Sequence, residues 1–246
     1  MFGTRSIDLV GALNLALEIP VAFRGCKFVI YIDNTSVPEE WVGRLEANGA
    51  TVIPYHPPSM QEEGWRLVPE TYRVIRFLAA DLPDWDYLIV RDLDSVVISR
   101  EVAAVEEWLA SDLPFHIMRD HPAHNTAILA GMWGVKREGL DRLPFKFSDR
   151  LKEYLLRSGQ SKVTDQAFLK DELFPHIRHM AMTHCSYYCT GDMWKTNVSW
   201  GYPTKRYGAT FVATFRNEAG DPVEGDTVHL RDTPMECRRN RDWRYG

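Results

Sequence analysis

Two aspartates, Asp92 and Asp94, interrupt an apolar run in DYLIVRDLDSVVI (86–98), with Arg91 just ahead of them. Three charges beside a buried strand cost free energy unless a partner or ligand uses them. On an extended chain, side chains two apart point the same way, so D-x-D presents two carboxylates together. Paired carboxylates make a hard oxygen site for Mg2+ or Mn2+. Such a cation can neutralise a diphosphate leaving group. A bare D-x-D also occurs in solvated turns, so its setting decides its meaning.

The setting is a chain of strands alternating with helices. CKFVIYID (26–33) is a continuous apolar run ending on Asp33, VPEEWVGRLEANGA (37–50) reads as a helix, and TVIPY (51–55) reads as a second strand. That β–α–β unit implies a parallel pair. PETYRVIRFLAADL (69–82) reads as a helix, YLIVRD (87–92) as a third strand and SREVAAVEEWLA (99–110) as a helix. The pattern predicts an α/β fold with a mostly parallel central sheet flanked by helices. In such sheets ligands bind beyond the carboxyl ends of strands, where Asp33, Asp92 and Asp94 fall. Further on, 115–137 reads as a strand, a polar loop and a second strand, and 163–175 as a helix capped by Thr164 or Asp165. IRHMAMTHCSYY (177–188) and ATFVATF (209–215) read as strands. The last residues are polar and expected to be peripheral.

Composition narrows the class. The chain has 246 residues, 45% apolar and 26% charged, with a net charge of −5. That suits one soluble globular domain. There is no basic stripe for nucleic acid, no run long enough to span a bilayer, and no signal-peptide order at the start. Four scattered cysteines predict free thiols and a cytoplasmic, reducing location. Cys185 and Cys189 lack the second pair that a zinc site needs.

Several other residues carry chemistry. Arg76, ahead of the D-x-D strand, can pair with its acids or with a diphosphate. Arg91 would point to the opposite side from Asp92. MRDHPAH (118–124) gathers Arg119, Asp120, His121 and His124, and Pro122 forbids a helical histidine pair there. In AGMWG (130–134), glycine admits close backbone approach. Trp133 either stacks on a sugar or packs in the core. Asp165 and Gln166 open a helix, where the dipole favours a carboxylate.

Taken together, RFLAADLPDWDYLIVRDLDS, with YID before it and TDQAFL after it, resembles the core of nucleotide-sugar glycosyltransferases of the GT-A (Rossmann-like) fold. RDLDS, REVAAVEEWL, FHIMRDHPAH, ILAGMWGVK and TDQAFL are similar to a group of bacterial and viral glycosyltransferase-like proteins, over roughly residues 20–215. The chain departs from that group at Ala130, where Gly-Gly is common, and at Cys185, where H-D-S is common. Its first strand is expected to be short or absent.

The resemblance implies one domain over 1–246: a nucleotide-binding half (1–115), a donor-sugar and acceptor half (116–215) and a tail (216–246). It implies a transferase moving sugar from a nucleoside-diphosphate sugar, UDP-linked, to an acceptor hydroxyl of a glycan, with Mn2+ or Mg2+. Asp92 and Asp94 would hold the metal. His184 would join them, with His229 as the fallback. Asp33, Arg76, Asp92, Arg119, Gln166 and Trp133 would bind the donor. Asp165 would be the catalytic base of an inverting enzyme or position the sugar in a retaining one, and Asp120 would act beside it. The rivals are a nucleotidyltransferase, whose Gly-rich basic loop YIDNTSVPEE does not provide, and a non-catalytic nucleotide- or carbohydrate-binding domain.

Overall fold

A computed structural model describes residues 5–56, 60, 64–65, 67–191, 194–223 and 232–245. The predicted β–α–β unit forms. Strand β1 (Val29–Asp33) pairs in parallel with β2 (Thr51–Tyr55) across a helix, Glu39–Ala47. These two strands make a sheet of their own. Helix α1 (Ser6–Ala22), which the sequence reading did not assign, packs its Leu9, Ala12 and Ala16 against Ile30 and Ile32 of β1. The helix 39–47 is α2.

The larger sheet has five strands: β3 (Tyr87–Arg91), β4 (Phe115–Arg119), β5 (Met132–Lys136), β6 (Ala181–Cys185) and β7 (Val198–Trp200). Their order is β3-β5-β4-β6-β7. Strand β5 runs antiparallel to both its neighbours, while β4–β6 and β6–β7 are parallel. The expected mostly parallel central sheet is therefore corrected to a mixed one. The twelve residues that join β4 to β5 contain no helix, so the link is an antiparallel return and not a helical crossover.

The segment Pro69–Asp81 is a 3-10 helix rather than an α-helix. Thr71 closes its first turn: its hydroxyl takes the Val68 N–H, and its N–H donates to the Val68 carbonyl. Helix α3 (Ser99–Leu109) follows β3, and α4 (Arg137–Asp141) and α5 (Phe147–Arg157) follow β5. Then α6 (Thr164–Phe168) runs through a wider π turn, Leu169–Leu173, into α7 (Phe174–Ile177). Pro175 lacks the N–H that an α ladder needs there, which favours the wider turn.

The main core lies between the 3-10 helix, β3–β5 and helices α5 to α7. Phe77, Trp133, Phe147 and Phe168 meet there, with ring centroids 5.4 to 6.2 Å apart. Each such side chain contributes about 1.5–3 kcal/mol by burial.

Two expectations fail in the last third. Residues 209–215 form turns, with only an isolated bridge from Ser95 to Phe215. The described tail residues are mostly exposed, with Thr233 and Cys237 buried among them. The cysteines are not all free, since Cys189 is disulfide-bonded to Cys237, leaving Cys26 and Cys185 as thiols. No helix among the described residues is long and apolar enough to cross a membrane.

Candidate functional site

Strand β3 ends at Arg91, and Asp92 to Ser95 turn away from it. The Ser95 N–H and hydroxyl both donate to the Asp92 carbonyl, at 3.3 and 2.7 Å. The two-residue period therefore does not apply to Asp92 and Asp94, which correct to turn positions with different surroundings. Asp92 lines a cavity of about 240 Å3, whereas Asp94 is outside its lining. The two carboxylates still feel each other. Burial first, and then Asp92, push the Asp94 carboxyl up.

The register places Asp92 beside the backbone that enters β5. Arg91 lies opposite Met132, so Asp92 faces Gly131. A Cβ on Gly131 would stand 2.2 Å from Asp92 Oδ2, so glycine is required for the approach. The 3-10 helix brings Arg76 over the same point. One guanidinium nitrogen donates to Asp92 Oδ1 at 2.5 Å and another to Asp165 Oδ2 at 2.5 Å. Burial alone would lower the Arg76 pKa, but the two carboxylates outweigh it and raise it. Asp165 is itself buried, and its Oδ1 accepts the Gln166 N–H. Arg76, Asp92, Asp165 and Gln166, all named from the sequence, thus meet in one cavity.

His124 also lines it. Burial pushes its pKa down to about 4. Its Nδ1 accepts the Asp120 N–H, so in the neutral ring Nε2 carries the proton and can donate. The sequence reading passed over Arg73 and Lys162. Their side chains line the cavity too, and Arg73 reaches the Lys162 carbonyl at 3.4 Å. A signal existed: Arg73 and Arg76 are three apart, and residues at i and i+3 eclipse on a 3-10 helix.

Five expected site residues are placed elsewhere. Asp120 is fully buried beneath the loop. It accepts from Arg100 (2.9 and 3.1 Å), Arg206 (2.7 Å), the Ser186 hydroxyl and the Val212 N–H (3.0 Å). Burial would raise its pKa, but the two arginines hold it below the usual range. With no solvent exposure and only internal partners, it stands in a structural setting and not in the cavity beside Asp165, where the catalytic role was expected. Arg119 is equally buried and donates to the Thr126 and Trp194 carbonyls, at 3.0 and 3.1 Å, instead of to a phosphate. Trp133 lies in the aromatic core, out of reach of a sugar. Asp33 accepts from Thr35 N–H and hydroxyl and from the Ser36 hydroxyl, closing its own turn. Burial would raise its carboxyl pKa, yet those bonds keep it low.

His184 is the fifth. It is fully buried on β6, with Nδ1 2.8 Å from His116 Nε2 and Nε2 3.0 Å from Glu107. Both ring nitrogens are engaged, so the structure does not join it to Asp92 and Asp94. Among the described residues, no group of three His, Cys, Asp or Glu side chains gathers as metal ligands. His229 lies outside the described residues. Arg91, unexplained by the sequence, makes a buried ion pair with Glu101 and donates to Ser95 and Val96.

Asp92 and Asp94 are hard oxygen donors of the kind a divalent cation takes, but only Asp92 lines the cavity, and no third such ligand gathers with them among the described residues. No family model matches the chain, and no curated protein matches it.

Proposed function

We propose that the protein is a metal-dependent glycosyltransferase of GT-A type. It would move a sugar from a nucleoside-diphosphate sugar, UDP-linked, to an acceptor hydroxyl. The observation that carries this reading is the Asp92–Arg76–Asp165 bridge, set in a cavity at the carboxyl end of β3 beside Asp94. A bound Mn2+ or Mg2+, held by Asp92 and Asp94, would supply Lewis-acid neutralisation of the diphosphate.

The chain's own residues suggest the remaining roles. Arg76 fixes Asp92 and Asp165 relative to each other and presents positive charge to the phosphates. Gln166 and the Nε2–H of His124 offer neutral donors to sugar hydroxyls. Asp165 accepts one hydrogen bond on each oxygen, from Arg76 and from its neighbour's N–H. Each carboxylate oxygen keeps a second lone pair, so Asp165 would act as general base in an inverting enzyme or position the sugar in a retaining one. The second reading is a non-catalytic nucleotide- or carbohydrate-binding domain, and turnover separates it from the transferase. The expected cytoplasmic location sits poorly with the Cys189–Cys237 bond, which suits an oxidising compartment.

The test is a panel of UDP- and GDP-sugars with and without Mn2+ or Mg2+, followed by release of nucleoside diphosphate. Expected is cation-dependent turnover on a UDP-sugar, reduced about 10²-fold or more in Asp92→Ala with the melting temperature nearly unchanged. Full activity in Asp92→Ala and in Asp94→Ala would sink the metal assignment. UDP binding with no turnover across the panel would favour the binding-domain reading.

A further inference from the structure

The cavity's charges do not balance. Its lining carries three cations, Arg73, Arg76 and Lys162, against two carboxylates, Asp92 and Asp165. Both carboxylates are bound by Arg76. Arg73 and Lys162 are exposed, and no carboxylate of the described residues pairs with either. Arg73 is tied to the same segment, since it donates to the Lys162 backbone carbonyl. Two exposed cations on one lining, neither paired with a carboxylate of the described residues, leave positive charge there for an anionic ligand. The neighbouring His124 is neutral at pH 7, with its pKa down at about 4, and offers no counter-charge. In a chain of net charge −5, this cationic mouth is a local exception.

Its position is also defined. Arg73 stands one turn of the 3-10 helix before Arg76, about 6 Å along the axis at roughly 2 Å per residue. Lys162 lies three residues before Asp165, on the segment that leads into α6. The two cations therefore share a lining with the Arg76 bridge but take no part in it. With the diphosphate at Asp92, as the proposed function has it, they are left for the sugar side of the substrates.

We propose that Arg73 and Lys162 form an anion subsite that selects an acidic sugar. The ligand group is a carboxylate or phosphate on a sugar bound in the same cavity. This rests on the glycosyltransferase reading for the direction of the substrate, but not for the existence of the subsite. The acid can belong to the donor, as in a UDP-uronate, or to the acceptor.

Calorimetry on the full chain in low salt distinguishes these sources. The donor arm compares UDP-glucuronate with UDP-glucose. The acceptor arm compares glucuronate and glucose 6-phosphate with glucose, each added to UDP-loaded protein. Expected is a preference of about fivefold to tenfold for the acidic partner in one arm, weakened by salt and lost in the Arg73→Ala/Lys162→Ala double variant. Both side chains are exposed, so the variant should keep the wild-type melting temperature, and a charge-retaining Arg73→Lys change should restore most of the preference. The inference is overturned if neither acidic ligand is preferred, or if the preference survives the double variant. Failure of the function reading looks different: UDP does not bind, while inorganic pyrophosphate still binds in an Arg73- and Lys162-dependent way.

Discussion

Asp92 and Asp120 show how one residue type serves two purposes. Asp92 is about half exposed and faces a cavity. Asp120 has no exposure and is surrounded by two arginines, a hydroxyl and a backbone N–H. Replacing Asp120 by alanine leaves Arg100 and Arg206 as uncompensated buried charges. The expected cost is about 3–5 kcal/mol of folding stability, read by denaturant unfolding. A loss of turnover with unchanged stability would contradict that structural role. Gly131 makes the complementary case. An alanine there would push Asp92 off its position, so Gly131→Ala should cut nucleotide-sugar turnover tenfold or more while lowering stability by only about 1–3 kcal/mol. Wild-type activity in that variant would show that the Asp92 position is not needed.

At the scale of elements, strands β4 and β6 and helix α3 are joined by a buried chain of ionisable groups. His116 stacks on Trp108 at 5.2 Å and meets His184, which meets Glu107, and Arg239 of the tail grips Glu107. Burial drives both histidine pKa values down, His116 with added repulsion from His184. The unfolded chain binds protons on these rings below about pH 6.5, while the folded chain does not. Stability is therefore full above that pH and falls as pH drops below it. Glu107 acts in a lower window. Its bonds to His184 and then Arg239 hold its pKa down to about 2, so its contribution is lost as pH falls from the ordinary carboxylate range towards 2. Melting temperature should be level between pH 7 and 8 and decline from pH 6.5 to 5. A His116→Phe/His184→Phe double variant should flatten the decline near pH 6, with the remainder left to His124, and an unaltered profile would contradict the assignment.

For the whole molecule, the disulfide is the covalent tie between the tail and the body. Cys189 and Cys237 are 48 residues apart in sequence, and both are buried. Closing a loop of that length stabilises the fold by about 2–4 kcal/mol, mainly by restricting the unfolded chain. Arg239 adds contacts to Glu107 and the Gly201 carbonyl, and Arg206 donates to the Tyr245 carbonyl. A reductant strong enough to open the bond, or Cys189→Ser, should lower the melting temperature by several degrees. Identical melting with and without reductant would show that the bond adds nothing.

Local pattern carried the elements and four residues of the cavity. The strands at 29–33, 51–55 and 87–91 and the helix at 39–47 are legible because apolar runs and capping residues act over short distances. Asp92, Asp165 and Gln166 are legible because they sit at or next to element ends, and Arg76 because it is a charge in the helix just ahead of the D-x-D strand. Long-range pairing was not legible. Strand β5 inserts antiparallel between β3 and β4, and no local feature of MWGVK announces that order. The fates of Asp120, Arg119 and His184 depend on Arg100, Arg206, Trp194 and Glu107, far away in sequence. Only the tertiary structure brings those partners in, and burial then decides whether a charge meets a ligand or another side chain. The sequence by itself determined which residues could do chemistry, because side-chain type and strand ends are local. The fold decided which of them reach a cavity, because burial and charge pairing are properties of the packed chain.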